Sequence, residues 1–469
     1  MSNGVAILGA GPAGLGAACQ LARRNVAPVT VLEQGENVGG LAGSFELDGV
    51  RADYGSHRLQ PACDPRILGD LQELLGEDLL LRPRHGRIRL ARRWIHFPLR
   101  PLDLVMHLPL SFAAGFVADT VGRAVRRRTQ PNPTFASVLE NGLGPTICRN
   151  FYFPYARKIW GLSPELLSPI QAYRRVSSSS PGSLIRKIVR AVPGLRSTRG
   201  NRFYYPRWGF GQISAALEKA AASAGAGVIL GATVTRIEPA HSRVFYEVAG
   251  TEKHLDGRHV WSTLPVSLLV RSIDPPPPAA VLEAAAAMRF RAMVLIYLVL
   301  EQDQFTEYDA HYFPEEEIPI SRLSEPKNYS AAEAPRGRTV LCAELPCDTA
   351  SRYWRMADHE LTEAVRQSLA AAGLPIRSRI RCTAVRRFAH AYPLYQIGYE
   401  EHFNTIDRWL DGFGNLLTFG RQGLFAHDNT HHALAMAYAA ADCLDGGGDF
   451  DWERWRNYRR GFESHVVED

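Results

Sequence analysis

A glycine-rich turn between two short apolar segments lies at the start of the chain and most constrains its fold. Val5-Ala6-Ile7-Leu8 is wholly apolar, which is typical of a strand buried in a parallel sheet. Gly9-Ala10-Gly11-Pro12-Ala13-Gly14 follows at once, and the Ala- and Leu-rich residues after it predict a helix. A second apolar segment, Val29 to Leu32, ends at Glu33. The order strand, turn, helix, strand and acid predicts a Rossmann-like α/β unit.

Four residues of this unit have a physical role in binding a dinucleotide. Gly9 allows the tight turn, and Gly14 lets the helix pack closely against the strand. Gly11 has no Cβ, so a pyrophosphate can approach the backbone at the positive end of the helix. Glu33 is placed to bind a ribose hydroxyl, which favours a free 2′-hydroxyl over a 2′-phosphate. We therefore predict a bound adenine dinucleotide.

The bulk properties indicate a globular protein of more than one domain. The 469 residues exceed what one simple core supports, and the apolar and charged fractions of 46% and 22% are ordinary. The net charge of +6 is not sustained along the chain, which argues against nucleic-acid binding. The seven cysteines are scattered without metal-ligand spacing, so we expect reduced thiols and a cytoplasmic location. The chain enters its first strand almost directly, so we expect no signal peptide.

Two further motifs follow the dinucleotide unit. Gly39-Gly40-Leu41-Ala42 contains a second glycine pair, with which a flavin enzyme passes its backbone beside the pyrophosphate again. Ser44 to Ala52 alternates around Asp48-Gly49 and predicts a hairpin. Asp53-Tyr54-Gly55-Ser56-His57-Arg58 then places an imidazole and a fixed cation in a glycine-containing loop.

Taken together, GAGPAGL, Glu33, VGGLAGSF and DYGSHR resemble the superfamily of FAD proteins that contains amine oxidases, protoporphyrinogen oxidases and UDP-galactopyranose mutases. The resemblance is closest to protoporphyrinogen-oxidase-like and mutase-like members. It implies a GR2-type α/β flavoprotein, whose Rossmann-like FAD-binding domain is built from residues 1–75, 200–265 and 385–469. Residues 76–199 and 266–384 would form a discontinuous α+β substrate-binding domain.

The resemblance also implies that FAD is bound without a covalent link. Some relatives attach the flavin to a cysteine near the C-terminal motif, but Cys443 lies too far along its helix for this. The residues implied for FAD binding are Gly9, Gly11, Pro12, Ala13, Gly14, Glu33, Gln34, Gly40, Leu41, Ala42, Gly55, Ser56, His57, Arg58, Val234, Gly420, Arg421, Leu424, Phe425 and Asn429.

A second set of residues is implied for substrate binding: Trp160, Arg174, Arg175, Tyr205, Tyr395 and Tyr399. Trp160 matches a Trp that stacks on the nucleotide base in the mutases, and burial in the core is the alternative. Arg175 matches an arginine of the mutase pocket, with Arg174 as the alternative register. An aromatic face beside a guanidinium suits a nucleotide or an anionic ring.

Three residues are implied for catalysis: His57, Arg58 and Tyr395. His57 can exchange a proton near neutral pH, and a purely structural hydrogen bond is the alternative. Arg58 or Arg421 would stabilise negative charge on the reduced flavin. We expect no metal at His431-His432, because adjacent residues point to different faces of a helix.

Three other segments carry weaker patterns. Arg87-Ile88-Arg89-Leu90 predicts an amphipathic strand, whose arginine face is either solvated or part of an entrance for an anionic substrate. Leu102 to Arg128 predicts a packed helix; its most apolar part is too short to span a bilayer, and we do not expect membrane contact. Ser177 to Gly182 predicts a loop, and the basic stretch Arg186 to Arg199 is a candidate lid.

Three functions remain open from the sequence. The first is an FAD-dependent oxidoreductase of a biosynthetic pathway, which oxidises or desaturates a small molecule such as a sugar nucleotide or glycoside at the flavin N5. The second is a redox-neutral, mutase-like isomerase that uses reduced flavin. Leu59 and Gln60 stand where mutases place an aromatic residue and a second His, and this departure argues against the mutase. The third is a flavin-bound scaffold without catalysis.

Overall fold

The computed structural model describes residues 4–98, 106–109, 111–112, 114–115, 118–119, 132–176, 202–330, 335–463 and 465. Most of the segment predicted as a helix over 102–128 lies outside these residues. The loop over 177–182, the basic stretch over 186–199 and the side chain of Arg175 also lie outside them.

The strands of the described chain are short in its N-terminal part and long in its central part. They are β1 Val5–Leu8, β2 Val29–Leu32, β3 Ser44–Leu47, β4 Val50–Asp53, β5 Leu79–Pro83, β6 Gly86–Leu90, β7 Arg93–Phe97, β8 Arg202–Pro206, β9 Gly227–Ile229, β10 Thr233–Glu238, β11 Arg243–Val248, β12 Thr251–Asp256, β13 His259–Ser262, β14 Phe290–Leu300, β15 Ala310–Tyr312, β16 Arg322–Ser324, β17 Thr339–Cys347, β18 Ile380–Pro393 and β19 Leu416–Thr418.

The helices of seven or more residues are α1 Pro12–Arg23, α2 Pro65–Leu75, α3 Phe135–Leu143, α4 Phe153–Trp160, α5 Pro169–Val176, α6 Gln212–Ser223, α7 Val266–Ser272, α8 Ala279–Ala287, α9 Asp358–Ala371, α10 Tyr399–Leu410, α11 Thr430–Asp442 and α12 Trp452–Phe462.

A five-stranded parallel sheet contains the glycine-rich unit and confirms the predicted mixed α/β class. Its strand order is β19-β13-β1-β2-β9, and every pairing in it is parallel. All four residues of β1 are buried, as a strand at the centre of a parallel sheet requires. Helix α1 packs against α6 and α11 in one apolar core. The sheet therefore joins the first residues of the chain to its central and C-terminal parts.

A second sheet of seven strands has the order β18-β14-β17-β16-β15-β6-β7. Strand β17 is buried along its whole length, and helix α9 contributes Leu361, Val365 and Leu369 to the core beside the sheet. Strand β18 stays paired with β14 as far as Pro393, so the first residues after 385 belong to this sheet. The predicted hairpin at Asp48-Gly49 is confirmed by the pairing of β3 with β4.

The expectation of a solvated arginine face on the strand Arg87-Ile88-Arg89-Leu90 is wrong. The guanidinium of Arg87 lies between two rings, 4.3 Å from the centroid of Trp94 and 4.5 Å from that of Tyr308. Arg89 is buried and forms an ion pair with Glu315. Because β7 and β15 flank β6 in the sheet, their side chains and the loop after β15 cover both cations. The alternation of charged and apolar residues in the sequence did not show that aromatic and acidic side chains from other segments pack on these arginines.

Candidate functional site

A cavity of about 1150 Å³ extends along the carboxyl end of β1 toward the seven-stranded sheet. This volume exceeds the usual range for a pocket that holds one drug-sized ligand, so a dinucleotide and a second small molecule can share it. Sixteen of the residues implied for FAD binding line the cavity: Gly9, Gly11, Pro12, Ala13, Glu33, Gln34, Gly40, Leu41, Ala42, Ser56, His57, Arg58, Val234, Gly420, Arg421 and Asn429.

Three glycines shape the end of the cavity next to α1. A Cβ on Gly11 would have no protein atom within 4 Å, so the space above its backbone is open to a ligand. A Cβ on Gly40 would lie 3.4 Å from the Cα of Gly11, so the two glycine segments face each other closely. A Cβ on Gly14 would lie 1.9 Å from the carbonyl oxygen of Gly9, which explains why the helix can approach the strand only with glycine there. This cradle fits a pyrophosphate at the N-terminus of α1.

Glu33 lies at the end of β2 and is held by two backbone amides. The amide of Ala10 donates to Oε2 at 2.8 Å, and that of Gly35 donates to Oε1 at 2.8 Å. Each carboxylate oxygen keeps a lone pair that can accept a further hydrogen bond. The carboxylate is therefore fixed beside the cavity, in the place where a dinucleotide presents its ribose hydroxyls.

The loop that carries His57 is fixed by the buried carboxylate of Asp53. This carboxylate accepts hydrogen bonds from the hydroxyl of Ser44 at 2.6 Å, the hydroxyl of Tyr205 at 2.5 Å and the amide of Phe210 at 2.9 Å. Tyr205 is 1% exposed and does not line the cavity. The hydrogen bond from Tyr205 to Asp53 therefore positions the loop that carries His57. The family resemblance had implied instead that Tyr205 binds substrate.

His57 lines the cavity and stacks on Phe210 with 5.2 Å between the ring centroids. Its Nε2 lies 2.9 Å from the carbonyl oxygen of Tyr54. Since a carbonyl only accepts, Nε2 donates this bond, and Nδ1 is the nitrogen of the neutral ring that can accept a proton. Burial lowers the pKa of His57 below its usual value, so the ring is neutral at pH 7.

Seven arginines line the cavity, against three acidic residues. The arginines are Arg58, Arg84, Arg271, Arg322, Arg386, Arg387 and Arg421, and the acids are Glu33, Glu36 and Asp428. Arg58 donates to the hydroxyl of Tyr312 at 3.0 Å and lies 3.3 Å from Asp309. The lining therefore carries an excess of positive charge, which suits anionic ligands.

Arg322 and Glu344 form a buried pair that the sequence patterns did not reveal. Arg322 Nε donates to Glu344 Oε1 at 2.9 Å, and the amide of Ser56 donates to the same oxygen at 2.9 Å. The pair thus joins the seven-stranded sheet to the loop that carries His57. Arg322 stands in a three-residue strand without a recognisable motif, and no local signal could have found it.

The C-terminal motif closes the cavity from the side of α11. A Cβ on Gly420 would lie 2.8 Å from the Cβ of Ala13, so this turn touches the start of α1. Arg421 donates to the carbonyl of Ala391 at 2.8 Å. Leu424 and Phe425 pack into the apolar cores behind the motif and do not line the cavity. Gly14 and Gly55, also implied for FAD, lie behind the lining as well.

Four of the residues implied for substrate binding, Trp160, Arg174, Tyr395 and Tyr399, form a buried to half-buried group outside the cavity lining. Trp160 is 4% exposed and packs on the rings of Tyr392 and His427. Tyr395 and Tyr399 stack on each other with 4.3 Å between their centroids. These three aromatic residues are absent from the cavity lining.

Tyr395 and Arg174 complete this group. The hydroxyl of Tyr395 accepts a hydrogen bond from the amide of His427 at 3.1 Å. Burial raises the pKa of Tyr395 to about 12, so its phenol stays protonated at neutral pH. The guanidinium of Arg174 lies 5.6 Å from the centroid of the Tyr395 ring. Tyr395 therefore accepts a backbone hydrogen bond and stacks on a neighbouring ring, but its protonated phenol does not act as a base in this structure.

The mixed α/β fold and the family comparison together define a class of protein, a flavin-dependent oxidoreductase. The family model for flavin containing amine oxidoreductase matches residues 12–416. The chain therefore belongs to the flavin-containing amine oxidoreductase family. No curated protein sequence matches the chain closely enough to count as a relative.

Solved structures of this fold come from both oxidases and an isomerase. Reduced UDP-galactopyranose mutase has a TM-score of 0.80 at 20% identity, covering 94% of this chain and 93% of its own. A protoporphyrinogen oxidase candidate from Exiguobacterium sp. 255-15 has a TM-score of 0.74 at 17% identity, covering 94% and 98%. Wild-type putrescine oxidase bound to putrescine has a TM-score of 0.64 at 18% identity, covering 94% and 98%. At these identities the likeness establishes the fold alone.

No helix in the described segments combines the length and the apolarity needed to cross a bilayer.

All seven cysteines are free, and six of them are buried.

Proposed function

We propose that the chain binds FAD without a covalent link and oxidises or desaturates a small anionic molecule. The observation that carries this proposal is the cavity itself, which the dinucleotide motifs line together with seven arginines. The fold agrees with it, because the glycine cradle at Gly11 is open and Glu33 stands at the end of the next strand. None of the seven cysteines lines the cavity, which supports a non-covalent cofactor.

The reaction class follows from what FAD supplies when bound, namely acceptance of a hydride at N5. The protein must then bind the substrate with its C–H bond near that atom and take up the proton that leaves. Nδ1 of His57 is our candidate for taking up this proton, because the ring lines the cavity and its Nε2 already donates to the carbonyl of Tyr54. Molecular oxygen or another electron acceptor then restores oxidised FAD.

The arginines favour a substrate that carries a carboxylate or a phosphate. Arg386 is exposed on β18 and lies over the ring of Phe45, at 4.8 Å from its centroid. Arg387 makes an ion pair with Asp358 at 3.1 Å, and Arg322 pairs with Glu344. Among the described residues, no carboxylate forms an ion pair with Arg386. Its guanidinium is therefore available to bind an anionic group of the substrate.

The mutase-like isomerase is the second candidate, since reduced UDP-galactopyranose mutase shares the fold. The positions that would bind a nucleotide sugar argue against it. Trp160 is enclosed by Tyr392 and His427 rather than presented to a base, and Tyr395 stacks on Tyr399. A scaffold without catalysis is the third candidate, and the His57 ring on the cavity lining argues against it. The free cysteines support a cytoplasmic location.

The experiment is anaerobic titration of the FAD-loaded protein with a panel of small amines, carboxylates, phosphates and UDP-sugars. An oxidoreductase is expected to lose its flavin absorbance with an oxidisable anionic substrate and to regain it with air or another acceptor. Perturbation of the spectrum by UDP-galactose without bleaching, with turnover only after dithionite reduction, would establish the isomerase instead. A flavin that no compound reduces would support the scaffold.

Two matched variants test the anionic class. Arg386→Gln is expected to raise the KM for the bleaching substrate about tenfold with little change in kcat, since it removes one charged contact. Arg381→Gln is the control, because Arg381 lies on the same strand but pairs with Asp48 at 2.7 Å and does not line the cavity. Equal KM values for the two variants would refute the assignment of Arg386.

A further inference from the structure

A cluster of one carboxylate and two imidazoles lies where the last described residue of the chain meets the N-terminus of α11. The three residues are Asp428, His432 and His465, and each has one potential ligand atom within 4.8 Å of those of the other two. Nδ1 of His465 is 3.1 Å from Asp428 Oδ2, and Nδ1 of His432 is 3.7 Å from Asp428 Oδ1. The sequence predicts no metal at the adjacent pair His431-His432, whereas the fold groups His432 with Asp428 and His465 instead.

The carboxylate of this cluster is buried and incompletely partnered. The side chain of Asp428 is wholly inaccessible to solvent, and those of His432 and His465 are 11% and 16% exposed. Asp428 Oδ1 accepts no hydrogen bond from the residues that the structure describes. A buried carboxylate oxygen in this state is costly unless a cation or donor reaches it. Among the described side chains, the guanidinium of Arg174 approaches it with Nη1 4.0 Å from Oδ1, beyond hydrogen-bonding distance.

The distances match what a small transition ion requires. Ligands at about 2.1 Å from a tetrahedral Zn²⁺ lie about 3.4 Å apart, close to the separations of 3.1 Å and 3.7 Å, each of which reaches a different oxygen of Asp428. The ion would replace the hydrogen bonds that Nδ1 of His465 and Nδ1 of His432 now make with Asp428 Oδ2 and with the amide of Asn429, respectively. Imidazole and carboxylate are ligands that such ions prefer, and three protein ligands leave one position for water.

We propose that Asp428, His432 and His465 bind a divalent transition ion, for which Zn²⁺ is the test species. The ion fastens His465, the last described residue, to the start of α11, where the N-cap Asn429 and the first helical residue Thr430 line the cofactor cavity. Water completes the coordination, and the partly exposed rings of His432 and His465 provide the entry path.

Three variants isolate the site. His432→Gln removes the imidazole but keeps a side chain that can cap the helix, because His432 is the third helical residue of the Asn429 capping box. His465→Gln changes a residue at the last described position, outside any helix or strand. His431→Gln is the matched control, since His431 is adjacent on the same helix and is not a member of the cluster.

The measurement is Zn²⁺ binding to FAD-loaded protein that has been stripped with a chelator, followed by metal analysis after gel filtration and by titration against a competing chelator. The wild type and His431→Gln are expected to retain one ion per chain with affinities equal within about twofold. His432→Gln and His465→Gln are expected to bind at least about tenfold more weakly while keeping full FAD content.

The proposal is overturned if the wild type retains no ion, or if either ligand variant keeps the wild-type affinity. It is also overturned if His431→Gln weakens binding as much as His432→Gln does. The FAD content, read from the absorbance of the same samples, separates these outcomes from a failure of the proposed flavin chemistry.

Discussion

Replacing Gly11 by alanine separates binding of the cofactor from folding of the protein. The backbone of Gly11 has φ −75° and ψ 178°, which alanine adopts readily, and its Cβ would meet no protein atom within 4 Å. Gly→Ala at a compatible position gains about 0.4–1 kcal/mol from the unfolded chain, and loss of glycine at a helix N-cap costs a similar amount. The free energy of unfolding of the protein without FAD should therefore change by less than about 0.5 kcal/mol.

The effect on FAD should be large, because the new methyl group occupies the space that the pyrophosphate needs. Forcing a methyl group into a close-packed contact costs about 1–3 kcal/mol. This corresponds to a rise in the Kd for FAD of about 5- to 150-fold. The assay is fluorescence titration of the stripped protein with FAD, together with a urea denaturation curve of the same sample.

Two glycine variants serve as controls for Gly11→Ala. Gly69→Ala lies inside α2 with nothing within 4 Å of its Cβ, so it should stabilise the fold by about 1 kcal/mol and leave the Kd unchanged. Gly14→Ala places a Cβ 1.9 Å from the Gly9 carbonyl, so it should destabilise the fold itself. A Gly11→Ala protein that folds normally and binds FAD within twofold of the wild type would refute the placement of the pyrophosphate.

Three further predictions concern single buried groups. Tyr395→Phe leaves the amide of His427 without its acceptor, and urea denaturation should show a loss of about 1–3 kcal/mol. Asp53→Ala removes the acceptor of the buried Tyr205 hydroxyl and should lower the free energy of unfolding by more than about 3 kcal/mol in the same measurement. FAD binding should also weaken, because the loop that carries His57 loses its main contact. Burial lowers the pKa of His311 to about 3, so between pH 6 and 3 the unfolded chain binds a proton that the native protein excludes. As the pH falls through this range, the free energy of unfolding should decrease by up to about 1.4 kcal/mol per pH unit because of this residue. His311→Phe should make the dependence on pH less steep. An unchanged slope in the variant would contradict the assignment.

The dinucleotide unit could be predicted from sequence because its signals are local. The apolar strand, the glycine spacing and the acid after β2 each reflect a steric or hydrogen-bonding requirement met within about thirty residues. The same holds for the hairpin at Asp48-Gly49. Local sequence therefore determined the cradle and the class of fold.

The charged groups around the cavity could not be predicted, because they depend on contacts between distant parts of the chain. Glu344 accepts from Ser56, which precedes it by 288 residues, and from Arg322 on another strand. Arg89 looked solvated in the sequence, but its partner Glu315 lies on the loop after β15. Asp428 and His465 are brought together by the packing of the chain end, which no spacing rule describes.

The most direct test of the account is the absorption spectrum of the purified protein before and after denaturation. We predict the bands of oxidised flavin in the native sample and free FAD in the supernatant once the chain is precipitated. A colourless protein that cannot be reconstituted with FAD would contradict the central claim. Flavin that stays attached to the precipitated chain would contradict the non-covalent assignment.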